Sequence, residues 1–224
     1  MKQLTEKENA IFDILQKFID AKLVFIMVGG YAVSAFKHRF SVDADIVIKS
    51  EDLEKFEPIL RKEGFKKTTE KELENVYSSK FVRYEKDTAS VDILIDAIAA
   101  RATGASFSYS LLLNNSAPRK IIGIEKEITA IVPDKELLIA MKIHSGRLTD
   151  FRDIAALAKD TSLETIQRFL FIGDLEALKA NLKKLWEAAE DKNFIDLFKG
   201  VFVEKKFDVD MKQVERIARI GGEI

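Results

Sequence analysis

The sequence predicts an α/β (α+β) fold, a mixed sheet with flanking helices followed by a C-terminal helical domain. Three observations lead there. An apolar run rich in β-branched and aromatic residues, Leu23–Val28, predicts a buried strand. Further short apolar segments, four of them in two hairpin patterns, continue up to Val132. After Pro133 the pattern is helical almost to the end, so we expect two domains, residues 1–132 and 133–224.

The composition is typical of a globular protein with a heavily charged surface. Of the 224 residues, 47% are hydrophobic and 33% are charged, and the net charge is −1. That charge gives no overall field to attract nucleic acid. The absence of cysteine excludes disulfides and a Cys-based zinc site. No apolar run reaches the roughly 18 residues of a membrane span, and the first ten residues resemble no signal peptide, so we expect a cytoplasmic protein without a membrane partner.

The first elements follow from apolar periodicity. Apolar residues recur at intervals of three and four over residues 4–21, which predicts an amphipathic helix covering the sheet. After the strand Leu23–Val28, a short helix over Tyr31–His38 returns the chain. It leads to a second strand, Val42–Ile48, that is apolar except for two aspartates.

The rest of the chain divides into a β-rich part and a helical part. Residues 97–118 are weakly patterned and suggest a helix or loop. The β-rich part is predicted to contain a helix Glu51–Lys62 with Ser50 as N-cap and Gly64 as its end, a strand Phe65–Thr69, a hairpin of Phe81–Tyr84 and Ser90–Asp96, and a second hairpin of Lys120–Ile124 and Glu127–Val132. The helical part is predicted to contain helices from Asp134, from Thr149 or Asp150, from a capping box at Thr161–Glu164, and over 174–189, 193–202 and 208–220.

The first candidate site combines two glycines with two carboxylates. Asp43 and Asp45 alternate on the second strand, so both side chains point to one face, where like charges repel. Mg²⁺ would resolve that repulsion, because it prefers carboxylate oxygens and substrate phosphates. Gly29 and Gly30 lack a Cβ, so their backbone N–H groups can lie against a phosphate. The structural alternative is a tight turn followed by a strand edge.

These residues resemble a known superfamily. Gly29-Gly30, the twelve residues 31–42 and then Asp43-Ala44-Asp45 are similar to the pattern of DNA polymerase β-like nucleotidyltransferases. The fuller string from Gly29 to Asp45 more narrowly resembles the AbiEii-type nucleotidyltransferases, several of which are toxins of toxin–antitoxin systems. Ser41 stands where that family usually has Thr, and Ala44 is smaller than its usual residue.

The resemblance implies a nucleotidyltransferase-type mixed sheet and a third carboxylate on a strand flanked by hydrophobic residues. Asp92, between Val91 and Ile93, fits this position. Asp96 is the competing choice, although a solvated cap at the end of the strand also explains it. Two Mg²⁺ ions, or Mn²⁺, would then be held by Asp43, Asp45 and Asp92, and Asp92 would be the base nearest the attacking hydroxyl.

A second string, from Lys142 to Asp153, resembles the family's Lys, then Arg, then Lys-Asp-x-x-Asp-Leu, with Arg152 at or near the position of the usual Lys. By this resemblance Lys142 is catalytic: it binds the triphosphate and offsets charge on the leaving pyrophosphate. Arg147 and Asp150 would belong to the same nucleotide-binding site, either behind Lys142 or by orienting it. The alternatives are helix charges, with Asp150 as an N-cap and Asp153 paired with Arg147 or Lys159.

Four further residues complete the candidates. Arg39 and Ser34 are candidate phosphate contacts, with a surface or structural role as the alternative for each. The two histidines, His38 and His144, have no partner at helical spacing, so we expect no histidine metal site. We expect His144 on a helix surface or between the domains.

The resemblance implies transfer of a nucleoside monophosphate from an NTP to a hydroxyl, with release of pyrophosphate. The implied acceptor is a tRNA 3′-end, a protein or a small molecule, and a toxin role would add an antitoxin partner. One alternative is a non-catalytic relative that binds nucleotide or a partner protein. Another is a metal-dependent phosphohydrolase, although the sequence lacks the histidine-rich ligand sets that such enzymes often carry.

Overall fold

The computed structural model describes residues 2–73, 79–203 and 208–222. The chain divides into two compact units: unit 1 is Met1–Ile98 with Ser108–Pro133, and unit 2 is Ala99–Phe107 with Asp134–Ile224. Residues 99–107, which the sequence placed before the domain boundary, group with the helical unit. The catalytic and cleft-closing roles expected for residues 1–132 and 133–224 stay predictions.

Unit 1 is built on a mixed sheet. The strands are β1 (Ile26–Val28), β2 (Asp43–Ile48), β3 (Lys66–Leu73), β4 (Ser79–Lys86), β5 (Ala89–Ile95), β6 (Ala97–Ala100), β7 (Ala105–Ser108), β8 (Ser116–Ile122) and β9 (Glu127–Pro133). Within the described residues, seven of them lie in the order β3-β4-β5-β2-β1-β9-β8, and β6 and β7 are not part of this sheet. The strand β2 is antiparallel to β1 and parallel to β5, and β1 is parallel to β9.

The first helix covers this sheet, as its periodicity predicts. It packs against β5 and β9, and its apolar face, which includes Phe12 and Phe18, is fully buried. Phe12 packs edge-on against Tyr31, and Phe18 packs in the same way against Phe56. The helices of unit 1 are α1 (Lys2–Asp20), α2 (Gly29–Ser34), α3 (Leu53–Lys62) and α4 (Tyr109–Asn114).

Unit 2 is mainly helical; its described strand residues are those of β6 and β7 that lie between residues 99 and 107. The helices of unit 2 are α5 (Lys135–Ser145), α6 (Leu148–Leu157), α7 (Leu163–Leu170), α8 (Leu175–Glu190) and α9 (Met211–Arg219). The helix α5 is buried along nearly its whole length and packs against α6, α7 and α8. Asn181 on α8 is buried, and its amide donates to the carbonyl groups of Ile143 and His144 at the C-terminal end of α5.

Several predicted elements begin, end or are capped differently in the structure. Ser50, the predicted N-cap, lies in a 3₁₀ helix, Ser50–Asp52, and α3 begins at Leu53. The N-cap of α7 is Ser162, which accepts from the backbone N–H of Thr165, and not Thr161 of the predicted capping box. The helix predicted from Tyr31 is α2, which begins at Gly29 and ends at Ser34. Residues 97–118 contain β6, β7 and α4, whose N-cap Ser108 accepts from the backbone N–H of Leu111. The segment predicted as a helix over 193–202 holds a 3₁₀ helix, Phe194–Phe198. The last helix starts at Met211 because the Asp210 side chain caps it.

None of the helices in residues 2–73, 79–203 and 208–222 combines the length and the hydropathy that a membrane crossing requires.

Glu8 predicts a measurable pH dependence of stability. Its side chain is buried in α1, and a carboxylate oxygen accepts from the backbone N–H of Ile124. Burial raises the pKa of Glu8 more than this hydrogen bond lowers it. A pKa raised by folding stabilises the folded state below the unfolded pKa, and the stabilisation is lost as the pH rises through the folded value. We expect Glu8→Gln, which keeps the acceptor, to remove this dependence.

The measurement is urea denaturation of wild type and variant at about pH 4 and pH 7. The free energy of unfolding of Glu8→Gln, minus that of the wild type, should increase as the pH rises. The exposed Glu54→Gln on α3 is the matched control and should show no such gain. A wild-type-minus-variant difference that is the same at both pH values contradicts the prediction.

Candidate functional site

The three predicted carboxylates lie on two adjacent strands of unit 1. Because β2 and β5 pair in parallel, Asp45 is the register partner of Asp92, and Asp43 is the register partner of Ser90. Residues in register, and residues two apart on one strand, share a face of the sheet. Asp43, Asp45 and Asp92 are therefore together on one face.

The glycine pair lies against this face. In β1, Val28 is the register partner of Asp45, and the turn into α2 follows at once. Gly29 has a φ of +65°, and a Cβ added there would lie 2.0 Å from Oδ2 of Asp45. A Cβ added to Gly30 would lie 2.3 Å from Oγ of Ser41. Gly29 is thus favoured by its positive φ, and a side chain at either position would displace Asp45 or Ser41. The helix α2 is too short for a strong helix dipole, so a phosphate would depend on the glycine N–H groups.

Two cations that sequence reasoning missed accompany the carboxylates. Asp43 is half-buried, accepts from Oγ of Ser90 at 2.7 Å and lies 4.0 Å from Nζ of Lys7 on α1. Asp92 is 5% exposed, and both of its oxygens are taken by Arg83, with Nε at 2.7 Å and Nη2 at 2.6 Å. The hydrogen bonds to Asp92 raise the pKa of Arg83. Neither cation gave a local signal. The two-residue turn at 87–88, which pairs Lys86 with Ala89, sets the register that places Arg83 opposite Asp92, and it is the feature that could have identified Arg83.

The donor chemistry of this face fits a hard divalent cation. Carboxylate oxygens are the preferred ligands of Mg²⁺, and the Asp45 carboxylate occupies space beside Gly29 that a Cβ would fill. Even so, no three His, Asp or Glu side chains in residues 2–73, 79–203 and 208–222 are grouped as a metal site. Asp92 turns both oxygens to Arg83. The metal-binding roles of Asp43, Asp45 and Asp92 stay predictions.

Asp96, the competing third carboxylate, has a structural contact. It follows the end of β5 with a φ of +65°, and its Oδ1 accepts from the backbone N–H of Ser50 at 2.8 Å. This is the capping contact that the sequence offered as an alternative. Asp92, in contrast, is in register with Asp45.

Ser34 and Arg39 organise the loop between α2 and β2. Ser34 is buried and donates to the carbonyl of Arg39 at 2.7 Å. Nε of Arg39 donates to the carbonyl of Phe40, and its Nη2 is 3.2 Å from the position that a Cβ on Gly30 would take. The Arg39 guanidinium therefore lies beside the glycine turn. The phosphate contacts predicted for both side chains stay predictions.

The second predicted string forms a buried ionic cluster within unit 2. Nζ of Lys142 is 3.2 Å from Oδ1 of Asp150 and 2.7 Å from Oδ2 of Asp153. Arg147 donates to Asp150 and Arg152 donates to Asp153. Burial alone would raise the pKa of Asp150, but Lys142 and Arg147 together lower it.

This cluster bears on the predictions for α5 and α6. Asp150 is not the N-cap of α6, because Arg147 takes that position. Lys142 is oriented by Asp150 and Asp153, and the largely exposed Arg147 contacts Asp150. The triphosphate contacts predicted for Lys142, Arg147 and Asp150 stay predictions.

His144 is a core residue of unit 2, so the expected helix-surface position is wrong. The side chain is fully buried, and its Nδ1 is 2.8 Å from Oγ1 of Thr103. Phe107 packs edge-on against the imidazole. Burial lowers the pKa of His144 to about 4, so the ring is neutral near pH 7.

The glycine turn gives a prediction that concerns both stability and binding. Gly29→Ala places a Cβ in the left-handed region, which costs roughly 1–2 kcal/mol, and displaces the Asp45 carboxylate. We expect a loss of unfolding free energy of at least this size and weakened Mg²⁺–NTP binding, measured by urea denaturation and calorimetry. Gly104→Ala, also at a φ of +65° but with nothing within 4 Å of the added Cβ, is the matched control and should lose only stability. Unchanged nucleotide affinity in Gly29→Ala would contradict the prediction.

The comparisons with known proteins concern structure. No protein-family model and no curated protein sequence matches the chain. The crystal structure of ANT(2″)-Ia in complex with adenylyl-2″-tobramycin is similar over 80% of this chain and 98% of that chain, with a TM-score of 0.54 and 15% sequence identity. The lincosamide antibiotic adenylyltransferase LnuA, in its lincomycin-bound crystal structure, covers 69% of this chain and 98% of its own, with a TM-score of 0.45 and 21% identity.

At this level of identity the likeness to ANT(2″)-Ia concerns the fold, and it agrees with the mixed sheet that carries the carboxylates. The chain therefore has a nucleotidyltransferase-type α/β fold, with a mixed sheet and flanking helices.

Proposed function

We propose that the protein transfers a nucleoside monophosphate from an NTP to a hydroxyl acceptor and releases pyrophosphate. One observation carries the proposal: Asp43, Asp45 and Asp92 share one face of the sheet, and the Asp45 carboxylate lies against the Gly29–Gly30 turn. Carboxylates beside a backbone that can approach a phosphate are what phosphoryl chemistry requires of a protein.

The residues of this face have separate roles in the proposed reaction. The glycine N–H groups hold a phosphate of the NTP, and the Arg39 guanidinium beside Gly30 adds positive charge. Ser90 and Lys7 fix the Asp43 carboxylate. A divalent cation bound to these carboxylates, Mg²⁺ or Mn²⁺, would supply positive charge that polarises the α-phosphate and lowers the pKa of the acceptor hydroxyl.

The transfer step balances without a further reactant. The acceptor oxygen attacks the α-phosphorus, the bond from that phosphorus to the β-phosphate oxygen breaks, and pyrophosphate leaves. The acceptor proton passes to Asp92, the carboxylate nearest the nucleophile in this proposal. Arg83 donates one hydrogen bond to each oxygen of Asp92, so Asp92 becomes the stronger proton acceptor once Arg83 has released at least one of them. Lys142 and Arg147 of unit 2 are proposed to bind the triphosphate.

For the acceptor, we place a small-molecule hydroxyl first. The support is the fold shared with ANT(2″)-Ia, which was crystallised with an adenylylated tobramycin. A tRNA 3′-end or a protein hydroxyl is the second choice and rests on the resemblance to AbiEii-type enzymes. Only that choice would carry a toxin role and an antitoxin partner.

The test is incubation of the purified protein with each α-³²P-labelled NTP and Mg²⁺. Three acceptor sets are compared: aminoglycosides and lincosamides, total tRNA, and the protein itself. Label should enter one acceptor set, and one mole of pyrophosphate should be released for each mole of label transferred. It should be lost in Asp43→Asn and kept in Asp87→Asn, which makes the same change in the exposed turn between β4 and β5. No label in any set, and no pyrophosphate, would count against the proposal.

A second candidate function is nucleotide binding without transfer. The observation in its favour is that Arg83 engages both oxygens of Asp92. It predicts Mg²⁺–NTP binding by calorimetry with no pyrophosphate from any acceptor set. Release of inorganic phosphate in place of pyrophosphate would instead indicate the phosphohydrolase alternative.

A further inference from the structure

We propose that Arg83 is a positioning residue that occupies Asp92 until nucleotide binds, so that the third carboxylate accepts a divalent cation together with an NTP and not before it. The inference rests on the proposed function, because it concerns the same carboxylate face. It assigns a role to a side chain outside the sequence pattern of that face.

The first argument is the geometry of the pair. Arg83 on β4 is the register partner of Asp92 on β5, so both side chains leave the same face of the sheet. The guanidinium binds both carboxylate oxygens in a bidentate manner, at 2.7 and 2.6 Å. Bidentate Arg–carboxylate pairs are among the strongest charge-assisted hydrogen bonds. A cation therefore has to compete with Arg83 for the same oxygens.

The second argument is the unequal exposure of the two partners. The side chain of Asp92 is 7% exposed, whereas that of Arg83 is 35% exposed. Asp92 is held within the sheet face, but the long arginine side chain has a route towards solvent. When the pair opens, Arg83 is thus the partner that moves, and Asp92 stays in register with Asp45.

The third argument is charge. Without a metal, three carboxylates share this face, and Arg83 offsets the charge of Asp92 as Lys7 offsets that of Asp43. A triphosphate brings several negative charges, and the planar guanidinium fork matches phosphate as well as it matches carboxylate. Nucleotide binding therefore gives Arg83 a new partner at the moment when it frees Asp92. Metal affinity and nucleotide affinity are coupled through this side chain.

The experiment measures Mn²⁺ affinity by calorimetry and by the electron paramagnetic resonance of free Mn²⁺, without nucleotide. Arg83→Gln should bind Mn²⁺ about 10- to 100-fold more tightly than the wild type, because the competing charge-assisted pair is gone. Arg83→Lys, which keeps the charge but not the fork, should show a smaller gain. Arg61→Gln removes the same charge from an exposed side chain on α3 that pairs with Glu57, and it should show none.

Two further measurements make the inference specific. Arg83→Gln/Asp92→Asn should lose the gain, because the freed carboxylate is then absent. A non-hydrolysable NTP analogue should raise Mn²⁺ affinity more in the wild type than in Arg83→Gln. Folding is checked by circular dichroism, and if Arg83→Gln does not fold, Arg83→Lys takes its place in the comparison.

Mn²⁺ affinity equal to or weaker than that of the wild type in the folded variant overturns the inference. So does a gain that persists in Arg83→Gln/Asp92→Asn. The readout is independent of transfer. A gain in Mn²⁺ affinity without any nucleotidyl transfer supports the role of Arg83 and counts against the proposed function. Transfer without a gain in Mn²⁺ affinity supports the proposed function and counts against the role of Arg83.

Discussion

Asp43→Asn and Asp45→Asn are each expected to lower the rate of nucleotidyl transfer about a thousandfold, which corresponds to ~4 kcal/mol of transition-state stabilisation. Each change removes one negative charge and one oxygen ligand from the face that would hold the cation. The fold should tolerate both changes, because asparagine is nearly isosteric and both side chains are partly exposed. We therefore expect a change in the free energy of unfolding of no more than about 1 kcal/mol.

The measurement is pyrophosphate release under single-turnover conditions, with urea denaturation on the same preparations. Asp87→Asn, in the exposed turn between β4 and β5, is the matched control and should keep wild-type activity. If both variants keep more than a tenth of the wild-type rate, the carboxylate face is not the reaction centre. Loss of activity that tracks loss of stability would likewise count against a chemical role.

The local part of the candidate site was predictable because its signals are contiguous. The apolar strand, the two glycines and the alternating aspartates lie within residues 23–48. The residue types and spacing of each of them indicate a local backbone conformation without an alignment. The φ of +65° at Gly29 and the short distance from its Cβ position to Asp45 explain why glycine is favoured there. Asp92 was identified through the family resemblance, which implies a third carboxylate on an apolar strand, whereas its register with Asp45 is visible only in the tertiary structure.

What the sequence could not show depends on pairing over long separations. Lys7 reaches Asp43 only because α1 covers the sheet, and no local pattern contains that information. The strands β6 and β7 have only four residues each and are rich in small side chains; β6 shows no alternation, and the alternation of β7 is too short to distinguish a strand from a loop. The helices of unit 2 were predictable from their period, whereas the 3₁₀ segment at Phe194–Phe198 keeps the apolar content of a helix but not its hydrogen bonds.

Lys142→Met is expected to cost about 3–5 kcal/mol of unfolding free energy, the usual penalty for removing one partner of a buried ionic group. Asp150 and Asp153 would stay in the interior of unit 2, with side chains 3% and 4% exposed. Arg147 and Arg152 still contact these carboxylates, so the cost should fall at the lower end of the range. Lys142→Met/Asp153→Asn should recover part of the loss, because one uncompensated charge is then removed.

The measurement is urea denaturation as a function of pH. The pKa of Asp150 is lowered in the folded wild type, so its stabilisation is present above the ordinary carboxyl pKa and is lost as the pH falls through the folded value. The difference between wild type and Lys142→Met should therefore grow as the pH rises from about 3 to 7. Lys183→Met, on an exposed position of α8, is the matched control and should stay within about 0.5 kcal/mol of the wild type.

The same variant separates a structural role of Lys142 from a catalytic one. If the ammonium serves only the cluster, the transfer rate per folded molecule should stay close to that of the wild type at a temperature where Lys142→Met is folded. If it also binds the triphosphate, that rate should fall and the KM for NTP should rise, and Lys183→Met should show neither change. A variant with wild-type stability would contradict the buried cluster itself. The ammonium would then not depend on Asp150 and Asp153, and the triphosphate role implied by the family resemblance would be its main one.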